Sequence, residues 1–325
     1  MRVDSPMISY HSLEGGKSDR VMSVDVHPDG ADGAVTFATA GIGENDGGGE
    51  VRIWVLEKGA DAPVYRSSLR KGHDGSVNCA RWAPDGARLA SAGDRGTVCV
   101  WTGGAGAAWW RDLDDRQERA ACAHLSHADD VYDVCWSPCG RFLLSGSIDG
   151  MATVWHVQSR RAVKVMRDHS HYIQGVAWDP LGEFVATSSS DRTLKVYPLP
   201  PKWHGSKKPL VAKTLKFWTD PHALPEKKTK KKKSEDGADA DDAAAAAAAP
   251  EGKKERRSAL FSSEIAHSNF FRRPCFAADG ASLVAPAAAR KAGETTGGDD
   301  DGAAPQGAVA LARGQFERGP FAART

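Results

Sequence analysis

Short segments in which apolar and polar positions alternate recur along most of the chain. The segments ARLASAG, RFLLSGS and EFVATSSS each follow a glycine. Each is followed by a tight turn and by a second segment that ends in an aromatic residue, as in VCVW, ATVW and LKVY. Alternation with period two lets one face of a strand pack against a neighbour. Many short strands separated by turns predict an all-β fold.

A repeat organises these strands. Counted from His73, His127 and His169, a tryptophan follows at nine residues, a proline at eleven and a glycine at thirteen. A fourth copy starts at His267 with a phenylalanine and a glycine at the matching offsets, and a weaker first copy has Lys17 in the histidine slot. The first three histidines are 54 and 42 residues apart. A period of roughly 40–45 residues with four short strands per unit is typical of a β-propeller blade.

The repeat also predicts how the chain is divided. We expect an all-β propeller with about four complete blades in residues 1–218 and a partial fifth blade with an irregular C-terminus in residues 264–325. Residues 219–263 interrupt the repeat with the segment EKKTKKKKSEDGADADDAAAAAAAPEGKKERRS. This segment lacks aromatic and branched apolar residues and cannot bury enough surface to order itself. We therefore expect a disordered, charged insert between blades four and five.

Polar residues at repeated places predict a hydrogen-bond chain inside each blade. The histidine precedes the first strand, an aspartate lies in a later turn, and a strand serine and the terminal aromatic complete the chain. In the blade of His73 the acid slot holds Arg95, with Asp94 one position early, so a complete chain is not predicted there. The predicted members are His127, Ser147, Asp149 and Trp155; His169, Ser189, Asp191 and Tyr197; and the equivalent His73 and His267.

The same residues bear on metal and catalytic chemistry. His169 and His171 form a His-x-His pair, which is also a metal-ligand pattern. Because His169 stands in the register of the repeat, a structural role is favoured, and His171 is interpreted as a loop residue. Cys135 and Cys139 flank a hairpin without a matching Cys/His pair, and the serines of SSSD lack an oriented base. We predict no catalytic residue, no metal and no cofactor.

Composition limits the remaining classes of protein. The net charge of +1 gives no global attraction to nucleic acid or membrane. The 6 cysteines have no framework spacing, which favours reduced thiols in an intracellular protein. No apolar run approaches about eighteen residues, and the N-terminus MRVDSPMISYHS lacks the apolar region of a signal peptide. No membrane partner is expected.

Positions that vary between copies predict a partner-binding rim. Propellers bind partners beside the structural histidine and at the start of the innermost strand. Tyrosine, arginine and phenylalanine, which anchor interfaces, occur at three and five residues after the histidine slot. An ordinary solvated rim is the alternative. The candidate rim residues are Asn78, Asp130, Tyr132, Tyr172, Gln174, Phe270 and Arg272.

Several segments resemble one family of propellers. RVDSPMISYH, VRIWVLEKG, DDVYDVCWSPCG, HYIQGVAWDPLGEFVATSSSDRTLKVY and SNFFRRPCFAADGASLVAPA are similar to the WD-repeat middle subunits of chromatin assembly factor 1. This family includes plant FASCIATA2 and is related to the histone chaperone HIRA. The resemblance covers most of residues 1–200 and 265–290. Unlike the family pattern, no strand ends in Trp-Asp: the pairs are Trp-Val, Trp-Thr, Trp-His and Tyr-Pro.

The resemblance implies a non-enzymatic, seven-bladed WD-repeat propeller, so we expect that this chain lacks the last blades and the C-terminal tail of the family. It implies a nuclear complex that deposits core histones on replicated or repaired DNA. The implied partners are the large subunit of chromatin assembly factor 1, histone three and histone four, and other histone chaperones. Asp129, Asp130 and Asp133 near the mouth would suit a basic histone segment, although Asp133 could instead point inward.

Two other classes of function remain open. The first is a generic WD-repeat adaptor, such as a ubiquitin-ligase substrate receptor. The second is a propeller enzyme, for which the sequence shows no convergent nucleophile, base or metal set. The FFRR and MISYH segments favour the histone-chaperone interpretation over the adaptor.

Two basic clusters in the charged insert are candidate nuclear localisation signals. A solvated, disordered loop is the alternative. Nearby acids almost cancel the positive charge, so direct sequence-specific DNA binding is not expected. The clusters comprise Lys227, Lys228, Lys230, Lys231, Lys232 and Lys233, followed by Lys253, Lys254, Arg256 and Arg257.

Overall fold

Antiparallel sheet accounts for nearly all regular structure in the computed structural model. The structure describes residues 20–29, 33–42, 48–102, 110, 121–215, 217–219, 257–259, 271–289 and 306–314. None of these described residues belongs to a helix long and apolar enough to cross a membrane.

Four sheets of four strands follow one another along the chain. Blade one contains β1 (Val21–Val26), β2 (Val35–Ile42), β3 (Gly49–Leu56) and β4 (Val64–Leu69). Blade two contains β5 (Val77–Trp82), β6 (Arg88–Gly93), β7 (Thr97–Thr102) and β8 (Cys122–Ser126). Blade three contains β9 (Val131–Trp136), β10 (Phe142–Ser147), β11 (Ala152–His156) and β12 (Arg161–Met166). Blade four contains β13 (Ile173–Trp178), β14 (Phe184–Ser189), β15 (Leu194–Pro198) and β16 (Lys213–Leu215).

A three-stranded sheet continues the series with β19 (Cys275–Phe276), β20 (Ser282–Ala289) and β21 (Gln306–Ala312). The prediction of a propeller with four complete blades and part of a fifth is therefore confirmed. A separate pair, β17 (Phe217–Thr219) and β18 (Arg257–Ala259), brings the two sides of the charged segment together, with Thr219 opposite Arg257. Residues 220–256, which hold both basic clusters except Arg257, lie outside the described residues, as do His267 and Phe270.

The hydrophobic core lies between blades. The first strands β1, β5, β9 and β13 are neighbours across the blade boundaries, and β13 also contacts β19. One buried cluster joins Ile53 and Leu69 of blade one to Val77 and Leu89 of blade two. Three further clusters join blades two to three, three to four and four to five. A blade buries its apolar faces only against its neighbours, so burial favours a stack of blades rather than separate sheets.

The glycine at offset thirteen has a conformational cause. Gly86, Gly140, Gly182 and Gly280 each close the first hairpin of a blade, with φ between 66° and 76°. This left-handed region disfavours residues with a side chain. The turn is kept in the fifth blade although Ala278 replaces the proline, so the glycine is the stricter requirement.

The hydrogen-bond chain of blade three uses a different serine from the predicted one. His127 Nε2 lies 2.6 Å from Ser145 Oγ, Trp155 Nε1 donates to the same oxygen at 2.8 Å, and His127 Nδ1 lies 3.2 Å from Asp149 Oδ2. Ser147 instead donates to a loop carbonyl and accepts from Asp149 N. The prediction for Ser147 was wrong because the last residue of β10 faces the turn. Ser145 lies one strand period deeper, between the histidine and the tryptophan.

Blade four shows the same displacement. His169 Nδ1 lies 2.9 Å from Asp191 Oδ2, and His169 Nε2 lies 2.7 Å from Thr187 Oγ1. Ser189, the predicted member, closes the turn by accepting from Asp191 N. Burial raises the pKa of Asp191, but hydrogen bonds with His169 and the next turn residue outweigh it and hold the pKa well below its ordinary value. The buried Tyr197 hydroxyl makes no hydrogen bond among the described residues, so this ring contributes packing alone.

A constant offset identifies the correct hydroxyl. Eighteen residues after the histidine stand Ser91, Ser145 and Thr187 in blades two, three and four. In blade two, Ser91 Oγ lies 2.6 Å from His73 Nε2 and accepts from Trp101 Nε1 at 2.7 Å. At the offset of Ser147 and Ser189, blade two has a glycine, so that position carries no repeated hydroxyl.

Blade two lacks the carboxylate of the chain. Arg95, in the acid slot, is exposed in the left-handed region with φ of 60°. Asp94 instead accepts from Ser76 N and Asn78 Nδ2, each at 3.1 Å. His73 Nδ1 therefore has no hydrogen-bond partner among the described residues. Burial, assisted by the nearby His124, lowers the pKa of His73 to about 3.

The corrected chain makes a testable distinction between two serines of one strand. Ser145→Ala leaves both His127 and Trp155 without a buried partner, and each such group costs about 1–3 kcal/mol. We expect the free energy of unfolding to fall by about 2–4 kcal/mol, and by less than half of that for Ser147→Ala. Denaturant unfolding of both variants measures the difference. An equal or larger loss for Ser147→Ala would contradict the assignment.

Candidate partner-binding site

The centre of the propeller is organised around the buried carboxylate of Asp133 on β9. One oxygen accepts from Val176 N on β13 at 2.9 Å. The other lies 3.1 Å from Cys79 Sγ on β5 and 3.1 Å from Arg273 Nε, with Arg81 in ion-pair contact at 3.7 Å. The side chain of Asp133 therefore points inward, which confirms the second of the two alternatives drawn from the sequence. It joins blades two, three and four to the segment that leads into the fifth.

Arg273 completes this central contact from the segment before β19. Its guanidinium donates to the carbonyls of Met22 at 3.2 Å, Asn78 at 2.7 Å and Tyr132 at 3.5 Å. These carbonyls belong to the first strands of blades one, two and three. A planar group with five donors suits such a divergent set of acceptors. We call Asp133 and Arg273 the central ion pair.

Arg273 was missed from the sequence although the repeat contains a signal for it. Arg273 and Asp133 both stand six residues after a histidine slot, as does Cys79. The rim prediction used the adjacent offset of five. Because successive side chains of a strand point to opposite faces, the two offsets identify opposite surfaces.

Three predicted rim residues are buried, and the prediction is wrong for them. Asn78, Gln174 and Arg272 are at most 4% exposed. Asn78 Nδ2 donates to Asp94 and, across the blade boundary, to the Val131 carbonyl at 3.1 Å. Arg272 N donates to the Gln174 carbonyl at 3.0 Å, and burial lowers the pKa of the Arg272 guanidinium. Adjacent blades cover these positions because the innermost strands approach one another most closely.

Other predicted rim residues form a surface at the mouth of the propeller. The rings of Tyr132 and Tyr172 meet edge to face with centroids 6.3 Å apart, and Phe271 lies 5.6 Å from Tyr132 in the same arrangement. The Arg273 guanidinium lies 4.3 Å from the centroid of the Phe271 ring, a cation–π contact. All three rings are half-buried. We call Tyr132, Tyr172 and Phe271 the aromatic cluster.

Carboxylates surround the aromatic cluster. Burial and, after it, the charge of Asp130 raise the pKa of the Tyr132 phenol, with smaller contributions from Asp94 and Asp129. Asp129 is exposed, whereas Asp130 is half-buried and accepts from the backbone of Arg95 at 2.7 Å. Amphipathic rings beside negative charge form a surface complementary to a basic segment.

A second concave surface lies at the opposite end of blades three and four, where their first hairpins meet. This cleft has a volume of about 670 Å³ and is lined by Phe142, Trp178 and Trp203. Arg141 and Lys202 also line it. Its charge therefore differs from that of the mouth, and a basic partner is better matched by the mouth.

Comparisons with known proteins agree with the architecture. The family model described as CAF1B/HIR1 beta-propeller domain matches residues 1–236. The chromatin assembly factor 1 subunit (CAF1B) of Gallus gallus is 30% identical over 220 residues, which cover 61% of this chain and 35% of the relative. Protein HIRA of Xenopus laevis is 34% identical over 151 residues, which cover 42% of this chain and 14% of the relative. The chain thus spans about a third and about a seventh of these relatives' lengths.

The central ion pair predicts a large difference between two arginines. Arg273→Ala leaves the buried Asp133 without its cation, so we expect the free energy of unfolding to fall by about 3–5 kcal/mol. The control is Arg66→Ala, which removes an exposed ion pair with Glu57 and should cost less than about 1 kcal/mol. Denaturant unfolding compares the two variants. Losses of similar size would mean that the central ion pair does not hold the blades together.

Proposed function

The chain belongs to the CAF1B/HIR1 β-propeller family, and from this premise we propose that it is a non-enzymatic WD-repeat scaffold in a histone chaperone complex. The complex deposits histone three and histone four on DNA during replication and repair. The large subunit of chromatin assembly factor 1 and other histone chaperones are the further partners. Support comes from the similarity to CAF1B and HIRA.

One observation carries the proposal to specific residues: the aromatic cluster lies among carboxylates at the mouth. Histones are rich in lysine and arginine, and the apolar stems of these residues pack on aromatic rings while their charged groups meet carboxylates. Tyr132 and Tyr172 have the size and partial burial that anchor residues require. Asp129 and Asp130 supply the charge.

The histidine chains have the connectivity of a catalytic triad but not its accessibility. Asp149, His127 and Ser145 are linked in the order of an acid, base and nucleophile. Ser145 is fully buried and its oxygen also accepts from Trp155, so a substrate cannot reach it. This burial supports a structural role for the chain and a binding role for the protein.

Binding to histones tests the proposal. Replacing Tyr132 and Tyr172 together with alanine should weaken binding of purified histone three–histone four by at least about tenfold, since anchor residues contribute about 2 kcal/mol or more. The matched control is Tyr65→Ala, which removes an exposed tyrosine on the outer strand of blade one. Thermal melts should show both variants folded.

Two outcomes would contradict the proposed site. Unchanged histone binding by a folded double variant would exclude the aromatic cluster. Co-purification of the wild-type chain with ubiquitin-ligase components, and with neither histones nor the large assembly subunit, would instead favour the adaptor.

Nuclear location is part of the proposal, with the basic clusters as the import signal. Replacing the six lysines between positions 227 and 233 with glutamine should reduce nuclear accumulation of a fluorescent fusion. This change leaves the β17–β18 pair intact, which a deletion reaching Arg257 would not. The control replaces the exposed Lys207 and Lys208. Unchanged nuclear accumulation would show that the cluster is not the signal.

A further inference from the structure

Blade two brings three metal-binding side chains to one face of its outer strands. Cys99 on β7 pairs directly with His124 on β8, and Cys122 precedes His124 by two residues on the same face. Cys99 Sγ lies 3.5 Å from His124 Nδ1, and Cys122 Sγ lies 4.0 Å from it. All three ligand atoms lie within 4.8 Å of one another.

These distances fit the edges of a zinc tetrahedron. With Zn–S near 2.3 Å and Zn–N near 2.0–2.1 Å, a tetrahedral angle places sulfur about 3.5–3.6 Å from nitrogen and about 3.8 Å from a second sulfur. The Cys99–His124 distance matches this value, and the Cys122–His124 distance exceeds it by a few tenths of an ångström. A small rotation about the Cys122 side chain closes that gap.

We propose that Cys99, Cys122 and His124 bind a zinc ion that fastens β8 to β7. Both cysteines are buried, whereas His124 is exposed, so the fourth ligand is a water molecule that enters from the His124 side. Three protein ligands with one open position is an established zinc arrangement.

Charge balance favours a dication at this place. Without a metal, Cys99 Sγ donates to the Gly72 carbonyl at 3.1 Å. Zinc binding releases the protons of the two thiols to solvent, and the imidazole binds in its neutral form. Two thiolates then neutralise the dication, so no net charge is left at the edge of the apolar cluster that contains Cys99 and Cys122.

The site lies in the blade whose hydrogen-bond chain is incomplete. Blades three and four link histidine to a turn carboxylate, whereas blade two has Arg95 in that slot. A zinc bridge between β7 and β8 supplies a cross-link inside the blade that lacks the carboxylate.

Metal analysis of the purified 325-residue chain tests the inference. After incubation with zinc and gel filtration, we expect about one zinc ion per chain, and at least about tenfold less for Cys122→Ser and for His124→Ala. The matched controls are Cys139→Ser and His171→Ala, which change exposed residues outside the site and should keep the metal. His124 is exposed, so its replacement should leave the fold intact.

Cobalt provides a second readout that does not depend on stoichiometry. The cobalt-loaded chain should show thiolate-to-metal charge-transfer absorption and the intense visible bands of a tetrahedral ion, and both should disappear in Cys122→Ser. Chelation should lower the melting temperature of the wild type but not of the two site variants. A wild-type chain that stays free of zinc would overturn the inference, whether its thiols are free or form a Cys99–Cys122 disulfide. Zinc retained by both site variants would overturn it equally.

Discussion

A buried carboxylate on the third blade and an arginine from the entry to the fifth hold the centre of this propeller. Removing Asp133 and Arg273 from water is costly, and the ion pair alone would not compensate for it. Here Asp133 also accepts from Val176 N and Cys79 Sγ, while Arg273 donates to three carbonyls. The carboxylate and guanidinium are thus well satisfied, and the bonds they make belong to different blades. Their geometry fixes how the first strands approach the axis.

The repeat makes the fold predictable because its offsets follow from local backbone geometry. The glycine at offset thirteen reports a positive φ, and the tryptophan at nine reports the end of a strand. The histidine chain was harder to predict because blades three and four carry hydroxyls at both offsets eighteen and twenty. Comparison with blade two separates them, since Ser91 occupies the first offset and a glycine the second. A pattern drawn from two copies selected the wrong hydroxyl, whereas the third copy contains the deciding residue.

The partner-binding rim was only partly predictable for a different reason. Alternation shows that offsets five and six face opposite ways, but it does not show which of them faces the axis or what covers the other. Asn78, Gln174 and Arg272 vary in chemistry as contact residues do, yet neighbouring blades bury them. The Cys99–Cys122–His124 group was unpredictable for a similar reason. Its spacing matches no common metal motif, and only the register of β7 with β8 brings the three side chains together.

The central ion pair also bears on how the mouth would recognise a partner. Arg273 presents its guanidinium to the Phe271 ring while its remaining donors hold the three innermost strands. Phe271 in turn packs against Tyr132, which contacts Tyr172. The aromatic cluster is therefore built on strand backbones that the ion pair fixes, rather than on loop tips that move independently. A rigid surface loses less conformational entropy on binding than a mobile one. Under the proposed function, the residue that joins the blades thus also orders the surface that meets the histone.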